Sequence, residues 1–444
     1  MAIAGPAVIE LVLTSATSFA DTIMVGKLGA YAISAVGLTN QPRFVMLATF
    51  VALNVGTTAL VARFKGQGNK KDAELVTTQS ILLAFAIAVL LSILGTVFAR
   101  PMVRFMGAGA DTIDAATTYF RILMIGFVPT VLPIAISALL RGVGDTRISM
   151  KYNLTANLVN ILFNYLLIYG KLGFPRLEVA GAAIATVLGN TVACGIAFWA
   201  IIGTPFRKPG KAVSEFIELH FTRQNYSPNF HMLKRLFKIG LPSAAEQLAL
   251  RAGLLLYTLT ITAMGTKVFA AHQIALAILN LSFVNGQAFG IAATSLTGQA
   301  LGRGDPQEAR EASAACQKVG AIISTLMGIL MFAFRGFLIS LFSADPEIIA
   351  LGSGIMILAA FNQPFQSSFQ IFAGALRGAG DSLYPAISMA IGILGVRPLF
   401  AYFLGHAFSL GLFGAWLALS ADILVRFTFI AVRYRRGKWV HTTV

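Results

Sequence analysis

In 444 residues the apolar fraction is 57% and the charged fraction 12%, with a mean hydropathy of +0.76, which leaves too little charge to cover a soluble surface of this size. The net charge of +16 comes from Lys and Arg spread through short stretches between apolar runs rather than gathered in one basic stripe, which argues against a nucleic-acid partner. Those runs reach about 20 residues or more without period-two alternation, so the pattern predicts a helical bundle in lipid and excludes a β-barrel.

Taken in chain order, apolar spans of bilayer length fall at about 3–25, 31–62, 75–99, 116–140, 148–169 and 179–203. The first span opens without the basic leader of a signal peptide. Ser18-Phe19-Ala20 faintly resembles a cleavage site, but Glu10 inside the run argues against cleavage, and a short cytoplasmic leader is expected to be missing before it. A polar stretch at 204–238, rich in Pro, Lys and Arg and carrying His220 and His231, reads as a cytoplasmic linker. Six more spans follow at about 239–264, 268–301, 317–343, 348–376, 383–404 and 408–432. The expected fold is an all-α integral membrane protein of twelve transmembrane helices in two six-helix lobes, 1–203 and 239–444. Most Lys and Arg fall on the side of the N-terminus, which puts both termini in the cytoplasm of a cell whose cytoplasmic membrane holds the chain. Arg43, Arg251, Arg397 and Arg426 lie within spans and must snorkel, pair or line a cavity.

The two sets of spans repeat at a single offset of 236 residues. Pro6 to Glu10 falls on Pro242 to Glu246, Gly66-Gln67-Gly68-Asn69 on Gly302-Arg303-Gly304-Asp305, and Leu140 to Asp145 on Leu376 to Asp381. Six spans per repeat is an even number, so the halves run in the same direction and are expected to relate by an axis along the membrane normal, with a central cavity between them. Both repeats lie in one chain, so a monomer suffices.

Acidic residues within spans are the first candidates for chemistry, because each needs a partner, water or a proton. Glu10 and Asp21 share one face of the first helix, about 16 Å apart in depth. The fifth span carries Asn157, Asn160 and Asn164 in a single polar stripe that must face the interior. Where that stripe meets Asp21, amides would set the carboxylate's affinity for a proton or a metal cation, and this is the expected coupling site; the alternative is that the asparagines simply join helices by hydrogen bonds. Glu10 and Glu246 sit one turn after what reads as a helix-opening proline, where they either bind cations or stabilise helix N-termini. Asp422 and Arg426 have the spacing of an ion pair on one helix. His272 reads as a proton carrier or, more commonly, a packed side chain. Cys194 and Cys316 read as buried thiols without disulfide or metal spacing.

No phosphate-binding loop, His-Glu-x-x-His or Ser-His-Asp arrangement occurs, so the sequence supplies neither an ATP motor nor enzymatic machinery. Aspartate-rich pairs for a membrane-embedded transferase are also lacking. The 34 phenylalanines and 13 methionines suit a cavity for apolar cations and equally suit lipid.

Pro6 to Glu10, Val25 to Gly29, the twin Leu-Arg-Gly-x-Gly-Asp segments, Tyr169 to Gly173 and Ala270 to Ala275 together resemble the multidrug and toxic compound extrusion (MATE) exporters over essentially the whole chain. The resemblance implies two lobes in a V and antiport of organic cations against protons or sodium, with no cofactor. It gives Asp21, at the head of Asp21-Thr22-Ile23-Met24-Val25-Gly26, the role of coupling carboxylate. The family's fifth-helix aspartate corresponds to Asn164 here, and the sodium-binding aspartate and glutamate of some members correspond to Gln366 and a place near Leu250. Those departures weaken a sodium site in the second half and favour protons in the first. Asn157, Tyr257 and Gln366 are expected to line the substrate cavity. The competing reading is a flippase of the related superfamily moving lipid-linked or glycolipid cargo, for which Arg43, Arg251 and Arg397 would supply cationic contacts.

Overall fold

The computed structural model describes residues 2–202, 216–219 and 226–442. His220 and most of the predicted linker lie outside the described residues. The first half contains α1 (Ala4–Gly26), α2 (Ala30–Gly66), α3 (Lys70–Val97), α4 (Ala99–Phe105), α5 (Ile113–Ile125), α6 (Phe127–Gly142), α7 (Thr146–Tyr169) and α8 (Glu178–Ile201). Then follow α9 (Phe230–Thr262), α10 (Thr266–Gly302), α11 (Pro306–Ala333), α12 (Arg335–Ser340), α13 (Pro346–Gly378), α14 (Leu383–Met389), α15 (Arg397–Tyr402) and α16 (Gly411–Arg435). Nine described segments are long and apolar enough to cross a membrane, and the bent pair α5–α6 makes a tenth. With 24 and 33 residues, α7 and α9 have the length but carry more polar side chains, and they complete twelve spans.

The repeat read from the sequence reappears in the backbone. Gly29 and Gly265 enter α2 and α10 at φ 118° and 114°, Gly68 and Gly304 leave them at 69° and 77°, and Gly144 and Gly380 follow α6 and α13 at 81° and 88°. Left-handed glycines of this kind close a helix without the Cβ penalty. The next helix is then capped by a side chain, Asn69 accepting from Asp72 N and Asp305 from Glu308 N.

The halves differ where proline interrupts. Pro129 cannot donate to Ile125, and the fourth span bends by 51° between α5 and α6 at Gly126, where a Cβ would stand 2.3 Å from Val187. Its counterpart α13 runs unbroken, with Asn362 at the equivalent position. Conversely, the span after α13 is interrupted by π-helical turns at Ala390–Val396 and Phe403–Ala407, with Pro398 between them. The Arg397 N–H reaches back to Gly392 O, one residue further than in an α-helix. Pro242 does not open a helix, because α9 begins at Phe230, so Glu246 sits mid-helix and the macrodipole reading of it falls.

The chain divides into two compact units, Met1–Phe237 and Lys238–Val444. In the first, α6 packs against α2, α3 and α8, while α7 lies against α1 and α8. In the second, α13 is central, in contact with α10, α11 and α16. Thr58 donates to Ala138 O and Thr294 to Gly374 O, each at 2.9 Å, so the same hydroxyl joins equivalent helices in both units. The second contact is closer: a Cβ on Gly374 would lie 2.3 Å from Gly290 O. Gly374→Ala is therefore expected to destabilise the protein by about 1–3 kcal/mol, read as a lower unfolding temperature in detergent, although its counterpart is already alanine.

Candidate functional site

On α1 the hydroxyls of Thr14, Ser15, Thr17, Ser18 and Thr22 each donate to the carbonyl four residues earlier. These polar side chains thereby satisfy themselves within an apolar segment, leaving the Asp21 carboxylate to find partners on another helix. It finds them on α7. Asn164 Nδ2 donates to Asp21 Oδ1 at 2.5 Å. Asn160 Nδ2 donates to the same oxygen at 2.8 Å in the amide orientation that also lets its Oδ1 accept from Thr186 N and Oγ1, at 3.2 Å each. Asn160 and Asn164 are both buried, and Asn164 Oδ1 is left without a partner.

Asp21 opens onto a cavity of about 500 Å³ in the first unit, walled by α1, α2, α5 and α8. Its polar lining includes Asn40, Arg43, Tyr119 and Thr186, and its apolar wall Val25, Val36 and Leu47. The structure thus brings Asp21, Asn160 and Asn164 together as the stripe argument expects. Asn157 does not join them: it is not among the residues lining this cavity, and its Nδ2 is buried without a hydrogen-bond partner.

Glu10 belongs to a different construction. Arg141 Nη2 at 3.1 Å, Asn153 Nδ2 at 2.9 Å and Ser149 Oγ at 2.9 Å all donate to its carboxylate, which ties α1 to α6 and α7. In the second unit Arg377 Nη2 donates to Glu246 Oε1 at 2.5 Å, tying α9 to α13. The two repeated motifs, the acidic one and Leu-Arg-Gly-x-Gly-Asp, are thus partners in each half. A second repeated contact accompanies each pair, Thr146 donating to Ile3 O and Ser382 to Ile239 O. Both glutamates are buried and each is held across helices by an arginine. Pro385 and Met389 replace the serine and asparagine in the second half, and Glu246 Oε2 is buried without a partner. Arg377→Gln is therefore expected to cost about 3 kcal/mol and Arg141→Gln less, because Glu10 keeps two donors. Thermal unfolding of the two purified variants would show the reverse order if the glutamates were not clamped in this way.

Tyr257 is also corrected. Its hydroxyl donates to Ala415 O at 2.9 Å, its ring meets His272 edge-on at 5.5 Å, and it is 1% exposed in the packed core of the second unit. Its size and polarity suited a cavity wall, but its polar tip is already occupied. His272 accepts from Trp416 Nε1 and is a packed side chain. Gln366 is buried with Oε1 unpartnered. Asp422 pairs with Arg426 as its spacing suggests, and also with Arg397, to which the sequence offered no link. Arg43, Tyr119 and Thr186 were not singled out as parts of the Asp21 site; the only signal was that Arg43 is a charge inside a span. Cys194 and Cys316 are free thiols, and among the described residues no group of three His, Cys, Asp or Glu side chains is placed to hold a metal.

The MatE family model matches residues 6–166 and 242–403, one match to each repeat. The chain belongs to the MATE family. A MATE relative, the probable multidrug resistance protein NorM of Thermotoga maritima, is 30% identical over 98% of this chain and 92% of its own. The multidrug resistance protein PmpM of Pseudomonas aeruginosa is 28% identical over 91% of this chain and 83% of its own. A MATE crystal structure in complex with MaD3S superposes with a TM-score of 0.89 at 25% identity, covering 100% of this chain and 96% of that one. The twelve-helix MATE fold and a role in membrane transport follow.

Proposed function

We propose that this MATE protein exports organic cations and drugs across the cytoplasmic membrane in exchange for protons, with Asp21 as the coupling group. The observation that carries the reading is the amide-held carboxylate at the wall of a cavity of about 500 Å³, a volume that suits a drug-sized ligand. The multidrug-resistance names of the NorM and PmpM relatives support the substrate class. The donor set supports protons over sodium. The groups aimed at Asp21 are amide N–H donors, whereas a hard cation gathers several oxygens.

Ionised Asp21 accepts from Asn164 and Asn160 and attracts a cationic substrate into the cavity. Protonated, it becomes a hydrogen-bond donor facing amide donors, a mismatch relieved when the Asn164 amide turns its unpartnered Oδ1 toward it. Protonation therefore removes the anion that held the substrate and rearranges the α1–α7 contact in one event. Uptake of the proton from outside releases the substrate there, and its loss inside restores the carboxylate. Both termini lie in the cytoplasm in this reading, by the distribution of Lys and Arg, and a monomer carries the whole cycle.

The flippase reading loses its support from Arg397, which is spent on Asp422 inside the packed second unit. Efflux from proteoliposomes under an imposed proton gradient, and then a sodium gradient, tests the proposal. Proton-driven efflux is expected; efflux driven by sodium alone, or by neither ion, overturns it.

A further inference from the structure

Arg43 lines the same cavity as Asp21, yet no described residue forms a hydrogen bond or ion pair with its guanidinium. The two opposite charges do not pair with each other either, since no N···O separation between them falls within 4 Å. A guanidinium stays charged at any physiological pH, and a cation within a membrane span that makes no direct ion pair is expensive unless it meets water, a nearby opposite charge or a ligand. With Asp21 ionised, the cavity is therefore formally neutral and offers one anionic and one cationic anchor across an apolar space bordered by Val36 and Leu47. A simple organic cation uses only Asp21 and is repelled by Arg43. A molecule that also carries a carboxylate uses both, and the planar fork of Arg43 binds a carboxylate through two parallel hydrogen bonds.

We propose that Arg43 is a specificity-determining residue that makes amphiphilic zwitterions the preferred substrates, their cationic end at Asp21 and their acidic end at Arg43. This rests on the reading of the Asp21 cavity as the transport site and narrows its substrate class. Protonation of Asp21 then removes one of two anchors and leaves the cavity with a net positive charge that expels the cationic end.

The test is equilibrium binding of two fluorescent dyes that differ in one group: rhodamine 110, a zwitterion with a free carboxylate, and rhodamine 123, its methyl ester and a monocation. Anisotropy titrations use the full chain purified in detergent at neutral pH without any ion gradient. The native protein is expected to bind the zwitterion about tenfold more tightly than the ester, the worth of one charge-assisted hydrogen-bonded contact. Arg43→Gln should erase that preference and bind the monocation several-fold more tightly than the native chain, a gain that also shows the variant is folded. Arg43→Lys, which keeps the charge and loses the fork, should fall between them. Equal affinity for the two dyes in the native protein, a ratio unchanged in Arg43→Gln, or binding of neither dye would each overturn the proposal. A dye preference that depends on Arg43 alongside efflux that ignores the proton gradient would uphold this selectivity and overturn the coupling mechanism instead.

Discussion

Asp21→Asn is expected to reduce proton-driven efflux to the level of empty liposomes while leaving the fold intact. The substitution keeps the size and an acceptor oxygen, so Asn164 and Asn160 retain a partner and stability should change by no more than about 1 kcal/mol. What is lost is the charge. The variant is locked in the neutral form and can neither take up a proton nor offer an anion to a cationic substrate. Affinity for a cationic ligand should fall by about tenfold or more, given the usual worth of a hydrogen bond to a charged group. Efflux and unfolding temperature measured on the same preparation separate the outcomes. Full transport in Asp21→Asn would remove Asp21 from the mechanism, and a large loss of stability would make the α1–α7 contact a structural one.

The second large effect belongs to the second unit. Asp422→Asn should destabilise the protein by about 3–5 kcal/mol, because it leaves two buried guanidinium groups without a counter-ion. Arg397 donates to Asp422 Oδ2 through Nε at 2.9 Å and Nη2 at 2.5 Å, while Arg426 donates to Oδ1 at 2.7 Å and Oδ2 at 3.0 Å. The side chains of this triad are 7%, 0% and 3% exposed, in the order Arg397, Asp422, Arg426. Its surplus positive charge rests against aromatic faces, Arg397 over Tyr257 at 5.4 Å and Arg426 over Phe369 at 4.8 Å. Gly392 keeps the π-helical turn close to this cluster, since a Cβ there would lie 2.1 Å from Asp422 Oδ1. Replacing all three charged residues together by apolar side chains of similar volume should be far milder than Asp422→Asn alone, because the desolvation penalty leaves with the charges. Thermal unfolding of the single and triple variants decides the matter: equal losses would mean that packing, and not charge balance, governs this region.

Helical periodicity made part of the site readable. Residues four apart on one helix share a face, so Asn160 and Asn164 had to point the same way, and a carboxylate in lipid had to seek such a face. The same rule put Asn157 on that face but could not say how far along the stripe Asp21 reaches, because periodicity says which side chains align and not at what depth the partner helix meets them. Glu10 and Arg141 stand 131 residues apart in sequence, as do Glu246 and Arg377. Each motif was visible alone, and their recurrence at one offset was a usable sign that they belong together, but pairing them requires the packing of α1 on α7, which brings Glu10 within reach of Arg141 on α6.

By itself, then, the sequence determined the solvent, the helical class, the twelve spans and the doubled plan, and it singled out the carboxylate proposed here for coupling. Each of these follows from local quantities: hydropathy over a bilayer length, self-similarity at a fixed offset, and the cost of a charge in hydrocarbon. Only the tertiary structure decided that each glutamate meets an arginine, that Arg397 joins Asp422 beside a π-helical turn, that Tyr257 is core, and that Arg43 shares a cavity with Asp21. Those depend on which helix faces approach one another and at what depth, a property of packing that no single segment encodes.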